Sequence, residues 1–328
     1  MVQMRVGWLL MTASLVFFGR WLTHRRQDNA RVCQTAELLR VGGQLGWLYY
    51  WYPDIYEFNR IRTNLDHLFA AADQWLFGCQ PSITFSQWLS GGLWSELFNL
   101  GYWSYYPMMA LLVLVVFWER RKVEAHPHPL PREGGPNKLQ STLSPSQERE
   151  NQTASWQSAT NTPPLGGDGG GLQTVATVIL ASFFLYYLVF LLLPVAGPQF
   201  YFQAVGVDEI LAGHFPALGT YFSSHTEMLP APGNPDGFFY QLVTHSQAAG
   251  ERPIAAFPSS HIGVSTIVLL LSRRYVPWLT KYLFPFWFLL CCATVYIQAH
   301  YLVDAIAGLL SAPLILAIAT QKRLNLMG

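Results

Sequence analysis

The sequence has few charged residues for its length. Its 328 residues include only 20 Lys and Arg and 19 Asp and Glu, which together make up 12% of the chain. A soluble globular domain carries about a quarter charged residues, so the composition argues against a soluble fold. The charges are also nearly balanced, with a formal net charge of +1. Such a balance gives no sign of a nucleic-acid partner, and we predict none.

Cysteine is scarce as well. The four cysteines (Cys33, Cys79, Cys291 and Cys292) show neither the spacing of metal ligands nor that of a secreted disulfide framework. We therefore expect no metal site. No disulfide scaffold is expected either.

Long stretches without any charge take the place of a soluble pattern. A bilayer core of about 30 Å requires roughly 20 apolar helical residues, and several windows approach that length. We predict an all-α, polytopic transmembrane helical bundle of six spans with a weaker seventh candidate. The six are 6–19, 98–118, 172–193, 258–272, 282–299 and 305–320, and the candidate is 38–51. Because Arg20, Arg25 and Arg26 follow the first stretch, it is interpreted as a retained span and not as a signal peptide.

The basic clusters at 119–122, 273–274 and 322–323 fall on one side of this arrangement, which the positive-inside rule identifies as cytoplasmic. We therefore predict four regions. Residues 1–118 form an N-terminal membrane region with an exoplasmic segment at 53–97, and residues 119–171 form a disordered cytoplasmic linker, since they lack apolar residues. Residues 172–320 form the C-terminal membrane helices with an exoplasmic loop at 195–257, and residues 321–328 form a cytoplasmic tail.

Two histidines and an aspartate stand out in the C-terminal helices. His261 follows Pro258, and His300 precedes Asp304 by four residues, a spacing that places the last two on one helix face. Two antiparallel helices return the chain to the same membrane face, so we expect His261 and His300 to meet. A carboxylate beside an imidazole fixes its tautomer, which is how a histidine becomes a reactive nucleophile. The alternative is that His300 and Asp304 only tie two helices together.

The segment before His261 is suited to an anion. A helix that begins after Pro258 leaves backbone N–H groups unpaired, and the hydroxyls of Ser259 and Ser260 add donors. Phosphate is the anion that best matches two histidines and such donors.

These residues resemble the signature of the type 2 phosphatidic acid phosphatase superfamily, whose motifs read Pro-Ser-Gly-His and Ser-Arg-x5-His-x3-Asp. Three further segments resemble its inositol phosphorylceramide synthase branch; they begin at Asn64, Asp73 and Tyr102. The resemblance covers about 55–107 and 190–310. It implies catalytic roles for His300 as nucleophile, Asp304 as its orienting partner and His261 as proton donor and acceptor. It also implies that Ser259 and Ser260 cradle the phosphate, and that neither metal nor cofactor is required.

The sequence departs from the family pattern where a positive charge is expected. Thr294 stands where the third motif has arginine, and Gln199 follows Gly197-Pro198 where the family continues with arginine. A phosphoryl-transfer site without a cation leaves charge on the equatorial oxygens unneutralised. Arg252 is the one basic residue of the C-terminal half on the predicted exoplasmic face, so we predict it as the substitute clamp, with Arg60 and Arg62 in reserve.

The predicted function is therefore that of a membrane lipid phosphatase or phosphotransferase. Its partners would be the membrane and a lipid phosphate or phospholipid, and its site would face the periplasm from a bacterial inner membrane. The alternative from another class is a catalytically inactive lipid-binding or scaffolding protein of the same fold, which the missing arginines favour. A transporter is a weaker third reading, because polar groups that cluster at one membrane face do not suit a midplane site.

Overall fold

The computed structural model describes residues 30–125 and 170–324, together with Ser14 and Phe17. Within these residues the chain forms twelve α-helices and no β-strand, which confirms the all-α prediction for this part of the chain. The N-terminal helices are α1 (Ala30–Asn59), α2 (Asp66–Phe77), α3 (Pro81–Trp88), α4 (Gly92–Trp103) and α5 (Tyr105–Ala125). The C-terminal helices are α6 (Gly170–Leu192), α7 (Pro198–Val205), α8 (Val207–Leu211), α9 (Phe238–Gly250), α10 (Ser260–Tyr275), α11 (Pro277–Tyr296) and α12 (Leu302–Leu324).

Three of the described helices are long and apolar enough to cross a membrane by themselves, and they suggest membrane integration. They are Thr174–Leu192 in α6, Pro277–Tyr296 in α11 and Leu302–Thr320 in α12. Helices α4 and α5 count as a fourth span if the pair is taken together, since they meet at a 45° bend. The structure therefore supports three or four of the six predicted spans.

The remaining predicted spans have different outcomes. The span at 6–19 lies outside the described residues except for Ser14 and Phe17, as does the linker between 126 and 169. The candidate at 38–51 lies inside α1, which does not meet the criteria for a span. The span at 258–272 corresponds to α10, whose 16 residues cover about 24 Å at 1.5 Å per residue, short of a bilayer core.

Helix α10 lies at the centre of the bundle. It packs against α5, α6, α11 and α12, and ten of its residues are buried. A helix enclosed by other helices does not contact lipid along its length, so it tolerates the polar residues Ser265, Thr266 and Ser272. This packing places His261, the second residue of α10, inside the protein.

The outer faces of the spanning helices expose large apolar side chains. Phe184 and Leu188 on α6, Phe288 on α11 and Leu310 and Leu314 on α12 are all exposed. Apolar faces of this extent are buried in lipid in a membrane protein. The exposed apolar faces of α6, α11 and α12 therefore suit contact with lipid.

Candidate active site

His261 and His300 lie side by side at one end of the helical bundle. His261 is at the start of α10, and His300 is in the turn between α11 and α12. The Nδ1 atom of His261 is 3.3 Å from the Nε2 atom of His300. The prediction that the two histidines meet is confirmed.

The other nitrogen of His300 identifies its tautomer. Nδ1 of His300 lies 2.8 Å from the carbonyl oxygen of Ala256. Because a carbonyl can only accept, Nδ1 must carry the proton. Neutral His300 then has its lone pair on Nε2, directed at His261. Burial lowers the pKa of His300 to about 4, although the bond to Ala256 opposes this effect. The imidazole is consequently neutral at physiological pH.

Asp304 does not have the geometry that the spacing predicted. His300 lies before α12 and not on it, so the two residues do not share a helix face. The Asp304 carboxylate is 3.8 Å from Nδ1 of His300, too far for a hydrogen bond. Its Oδ2 instead accepts the backbone N–H of Tyr301 at 3.0 Å, because the turn directs this N–H toward the start of the helix. The Ala256 carbonyl therefore fixes the tautomer, and the buried carboxyl group of Asp304 lies beside the ring.

The predicted phosphate-binding residues are divided between two environments. Ser260 lines the cavity beside the histidines, whereas Ser259 is fully buried and caps α10, with its hydroxyl accepting the N–H of Ile262 at 3.4 Å. Arg252 is not among the residues that line the cavity, and its guanidinium donates to the carbonyl of Glu251 at 2.7 Å.

The two reserve arginines lie at the end of α1. Arg60 pairs with Glu57 at 3.1 Å on the surface, and Arg62 donates to the carbonyls of Leu191 and Leu192 at the end of α6. Neither lines the cavity. Among the described residues, no lysine or arginine does so.

A cavity of about 100 Å³ opens beside the histidines. A single water needs about 10–15 Å³ on the same scale, so the space is large enough for several waters or for a small head group. The walls are aromatic: Tyr102 stacks on the ring of His261 with centroids 4.8 Å apart, and the tilted ring of Tyr105 lies 4.6 Å from the same ring. These two tyrosines come from α4 and α5, and their contacts hold the His261 ring in place.

Two buried carboxylates from α2 hold the loops of the site. Asp66 accepts the N–H groups of Ala196 and Gly197 at 2.6 and 2.8 Å and the hydroxyl of Tyr301 at 2.9 Å. Burial raises the pKa of Asp66 to about 6, and these hydrogen bonds oppose the rise. Gly197 has φ +99°, and a Cβ there would approach the Ala299 carbonyl to 2.7 Å, so only glycine allows this loop to pack against the residue before His300.

Asp73 has a similar role at the start of α12. Its two carboxylate oxygens accept the N–H groups of Leu302 and Val303 at 2.9 and 3.0 Å. A carboxylate at a helix N-terminus satisfies free N–H groups and interacts favourably with the helix dipole. Sequence reasoning used Asp66 and Asp73 only as signs of family resemblance and assigned them no role; the one available signal was that they are acidic residues in an otherwise apolar region.

The described part of the chain thus combines three apolar helices that suggest membrane integration with a pair of adjacent histidines at one end of the bundle. Residues 168–318 match the family model of the PAP2 superfamily. The match supports the PAP2 superfamily for the C-terminal half, and members of that superfamily are generally phosphatases and phosphotransferases that act on phosphate esters. No curated protein and no solved structure matches the chain. The resemblance to inositol phosphorylceramide synthases is not confirmed.

Proposed function

We propose that the protein is a membrane lipid phosphatase or phosphotransferase that acts through a phosphohistidine at Nε2 of His300. The observation that carries the proposal is the hydrogen bond from Nδ1 of His300 to the Ala256 carbonyl. It leaves an unprotonated nitrogen in a cavity that also contains a second histidine. A neutral imidazole with its lone pair directed into a cavity is a ready nucleophile.

The first step forms a bond between Nε2 of His300 and phosphorus, and the bond between phosphorus and the leaving oxygen breaks. His261, neutral in the free protein, takes up a proton when the negatively charged phosphate ester binds beside it and gives that proton to the leaving oxygen. General acid help of this kind contributes about 10² to 10⁴ in rate. The ring of His300 gains positive charge in the intermediate, and the carboxylate of Asp304, 3.8 Å away, stabilises that charge.

The second step returns the enzyme to its starting state. His261, now neutral, takes a proton from a water or an alcohol, whose oxygen attacks phosphorus. The bond to Nε2 breaks, and His300 becomes neutral again. Ser260 and the N-terminal end of α10 are the proposed contacts for the phosphate oxygens. Hydrolysis and transfer differ only in the acceptor that enters this step.

The proposed site faces the exoplasmic side of the membrane, the periplasm if the protein lies in a bacterial inner membrane. The helix ends support this orientation. His261 is at the first turn of α10, whereas Arg273 and Arg274 are in its last turn. Lys122 likewise lies in the last turn of α5, at the opposite end from Tyr105. Basic residues concentrate on the cytoplasmic side.

The test is to incubate the purified full-length protein in detergent with phospholipids labelled with ³²P in the head-group phosphate. We expect release or transfer of the labelled phosphate group and an acid-labile protein-bound label. His300→Ala should lose the bound label and reduce turnover by about 10⁴-fold or more, as when a covalent nucleophile is removed. His214→Ala serves as the matched control, because His214 is exposed and paired with Glu209.

A second candidate function is lipid binding without catalysis. The absence of lysine and arginine from the described lining of the cavity favours it. The same experiment separates the two functions, because a binding protein would show no bound label and no turnover with either variant.

A further inference from the structure

The walls of the cavity are unusual for a site that takes a phosphate ester. They include five tyrosines and one carboxylic acid, and no lysine or arginine contributes to them among the described residues. The residues are Tyr52, Tyr102, Tyr105, Tyr106, Tyr187 and Glu251. In the free protein the neutral histidine pair adds no positive charge. A bound phosphate would therefore meet aromatic rings, hydroxyls and a carboxyl group, and the one positive charge from the described wall of the cavity would be the proton that His261 takes up.

Glu251 is the acidic residue of this wall. It follows the C-terminal end of α9, and its Oε1 accepts the hydroxyl of Tyr52 at 2.8 Å. Glu251 also lines the cavity. Burial raises the pKa of Glu251 to about 7, although the hydrogen bond from Tyr52 and the charge of Arg252 oppose the rise. A positive charge in the cavity would restore the ionised form.

The charge balance discriminates between classes of substrate. A phosphate monoester carries close to two negative charges, and a phosphodiester with a neutral polyol carries one. Either would add negative charge beside a carboxyl group without compensation. A phosphodiester with an ammonium head group brings its own cation and enters as a zwitterion. Carboxylates and tyrosine rings are also the groups that bind such a cation, as in aromatic cages for quaternary ammonium ligands.

We propose that the tyrosine-lined wall with Glu251 is a subsite for a quaternary ammonium head group, so that the substrate is a zwitterionic phospholipid. The inference rests on the proposed function, since it assigns the head group of the phosphate ester that His300 attacks. It accounts for the missing arginine: the positive charge near the phosphate is carried by the substrate. It also gives a role to Tyr52 and Tyr102 from the N-terminal half.

The experiment measures binding separately from turnover. Full-length His300→Ala protein in maltoside detergent is titrated by calorimetry with phosphocholine, inositol phosphate and inorganic phosphate. We expect phosphocholine to bind at least about tenfold more tightly than the other two, the scale of a cation beside aromatic rings and a carboxylate. Equal affinities for the three, or a preference for inorganic phosphate, would overturn the proposal.

Two matched pairs of variants locate the subsite. In the same background Glu251→Gln should weaken phosphocholine binding by about tenfold, whereas Glu227→Gln, exposed on the same segment, should not. Tyr106→Phe keeps the ring and should retain binding, whereas Tyr106→Leu should lose several-fold. Tyr106 is 58% exposed, so neither change threatens the fold. The proposal would be contradicted if either Glu251→Gln or Tyr106→Leu left phosphocholine binding unchanged.

Turnover by the parent protein distinguishes the inference from the proposed function. Phosphocholine binding without release of any head group would reject the proposed function and leave the subsite supported. Faster turnover of phosphatidic acid than of phosphatidylcholine would support the enzyme and reject the subsite.

Discussion

The two halves of the described chain contribute different parts of the site. Residues 170–324 provide the histidine pair and Asp304, and this half contains most of the match to the PAP2 superfamily. Residues 30–125 provide no reacting group in the proposed mechanism. They provide Asp66 and Asp73, which bind the loops that position His300, and the tyrosines that surround His261.

The C-terminal half therefore supplies the reacting groups, and the N-terminal half supplies much of the wall of the cavity. The reacting groups occur in short motifs, because a nucleophile and its proton donor need only a few residues in fixed order. The walls of the cavity come from α1, α4 and α5, far away in sequence. If this division is correct, substitutions in the N-terminal half should change stability and substrate choice while leaving the chemistry intact.

The largest effect outside the histidines is expected at Asp66. Asp66→Asn replaces one acceptor oxygen by an amide that would face the N–H groups of Ala196 and Gly197. Hydrogen bonds to a charged group contribute about 1.5–3 kcal/mol each, so the unfolding free energy should fall by roughly 3 kcal/mol. Thermal unfolding in detergent measures this loss, with Asp208→Asn on the exposed face of α8 as the control. Equal melting temperatures for the two variants would show that the N-terminal half does not hold the catalytic loops.

A smaller effect concerns pH. Glu251 is faced by Tyr52 from α1 and Tyr102 from α4, with Arg252 next to it in sequence. The histidine pair lines the same cavity. The pKa of Glu251 is raised to about 7, so its negative charge is present above that pH and is lost as the pH falls through it.

The specificity constant, kcat/KM, for a zwitterionic lipid should therefore be about fivefold lower at pH 6 than at pH 8, given a tenfold preference for the ionised carboxylate. Glu251→Gln should remove this dependence and leave the loss that follows protonation of His300, whose pKa is about 4. An unchanged pH profile in Glu251→Gln would assign the dependence to another group.

The sequence predicted the membrane character and the meeting of His261 and His300, because charge-free windows and antiparallel helices follow from local composition. It was wrong about the helix face shared by His300 and Asp304. A spacing of four residues places two side chains together only if both lie on the helix, and α12 begins two residues after His300. The Ala256 carbonyl was not predictable, since a backbone acceptor has no residue signature. The span at 258–272 was overestimated because α10 is enclosed by protein and stays short.

The smallest effect is expected at Arg252, and it tests the sequence-based prediction most directly. Its guanidinium donates to the Glu251 carbonyl at 2.7 Å and lies outside the lining of the cavity. Arg252 acts on the site only through charge, because it lowers the pKa of Glu251. Arg252→Gln should therefore reduce kcat/KM by less than about threefold near neutral pH, within the range of a partly exposed charge pair. Without Arg252 the pKa of Glu251 should rise, so the fall in kcat/KM caused by protonation of Glu251 should occur at a slightly higher pH. A loss of about 10²-fold or more in kcat/KM would instead identify Arg252 as the phosphate clamp, since removal of one group that stabilises transition-state charge costs about 10²–10³ in rate. The cation beside the phosphate would then come from the protein and not from the substrate.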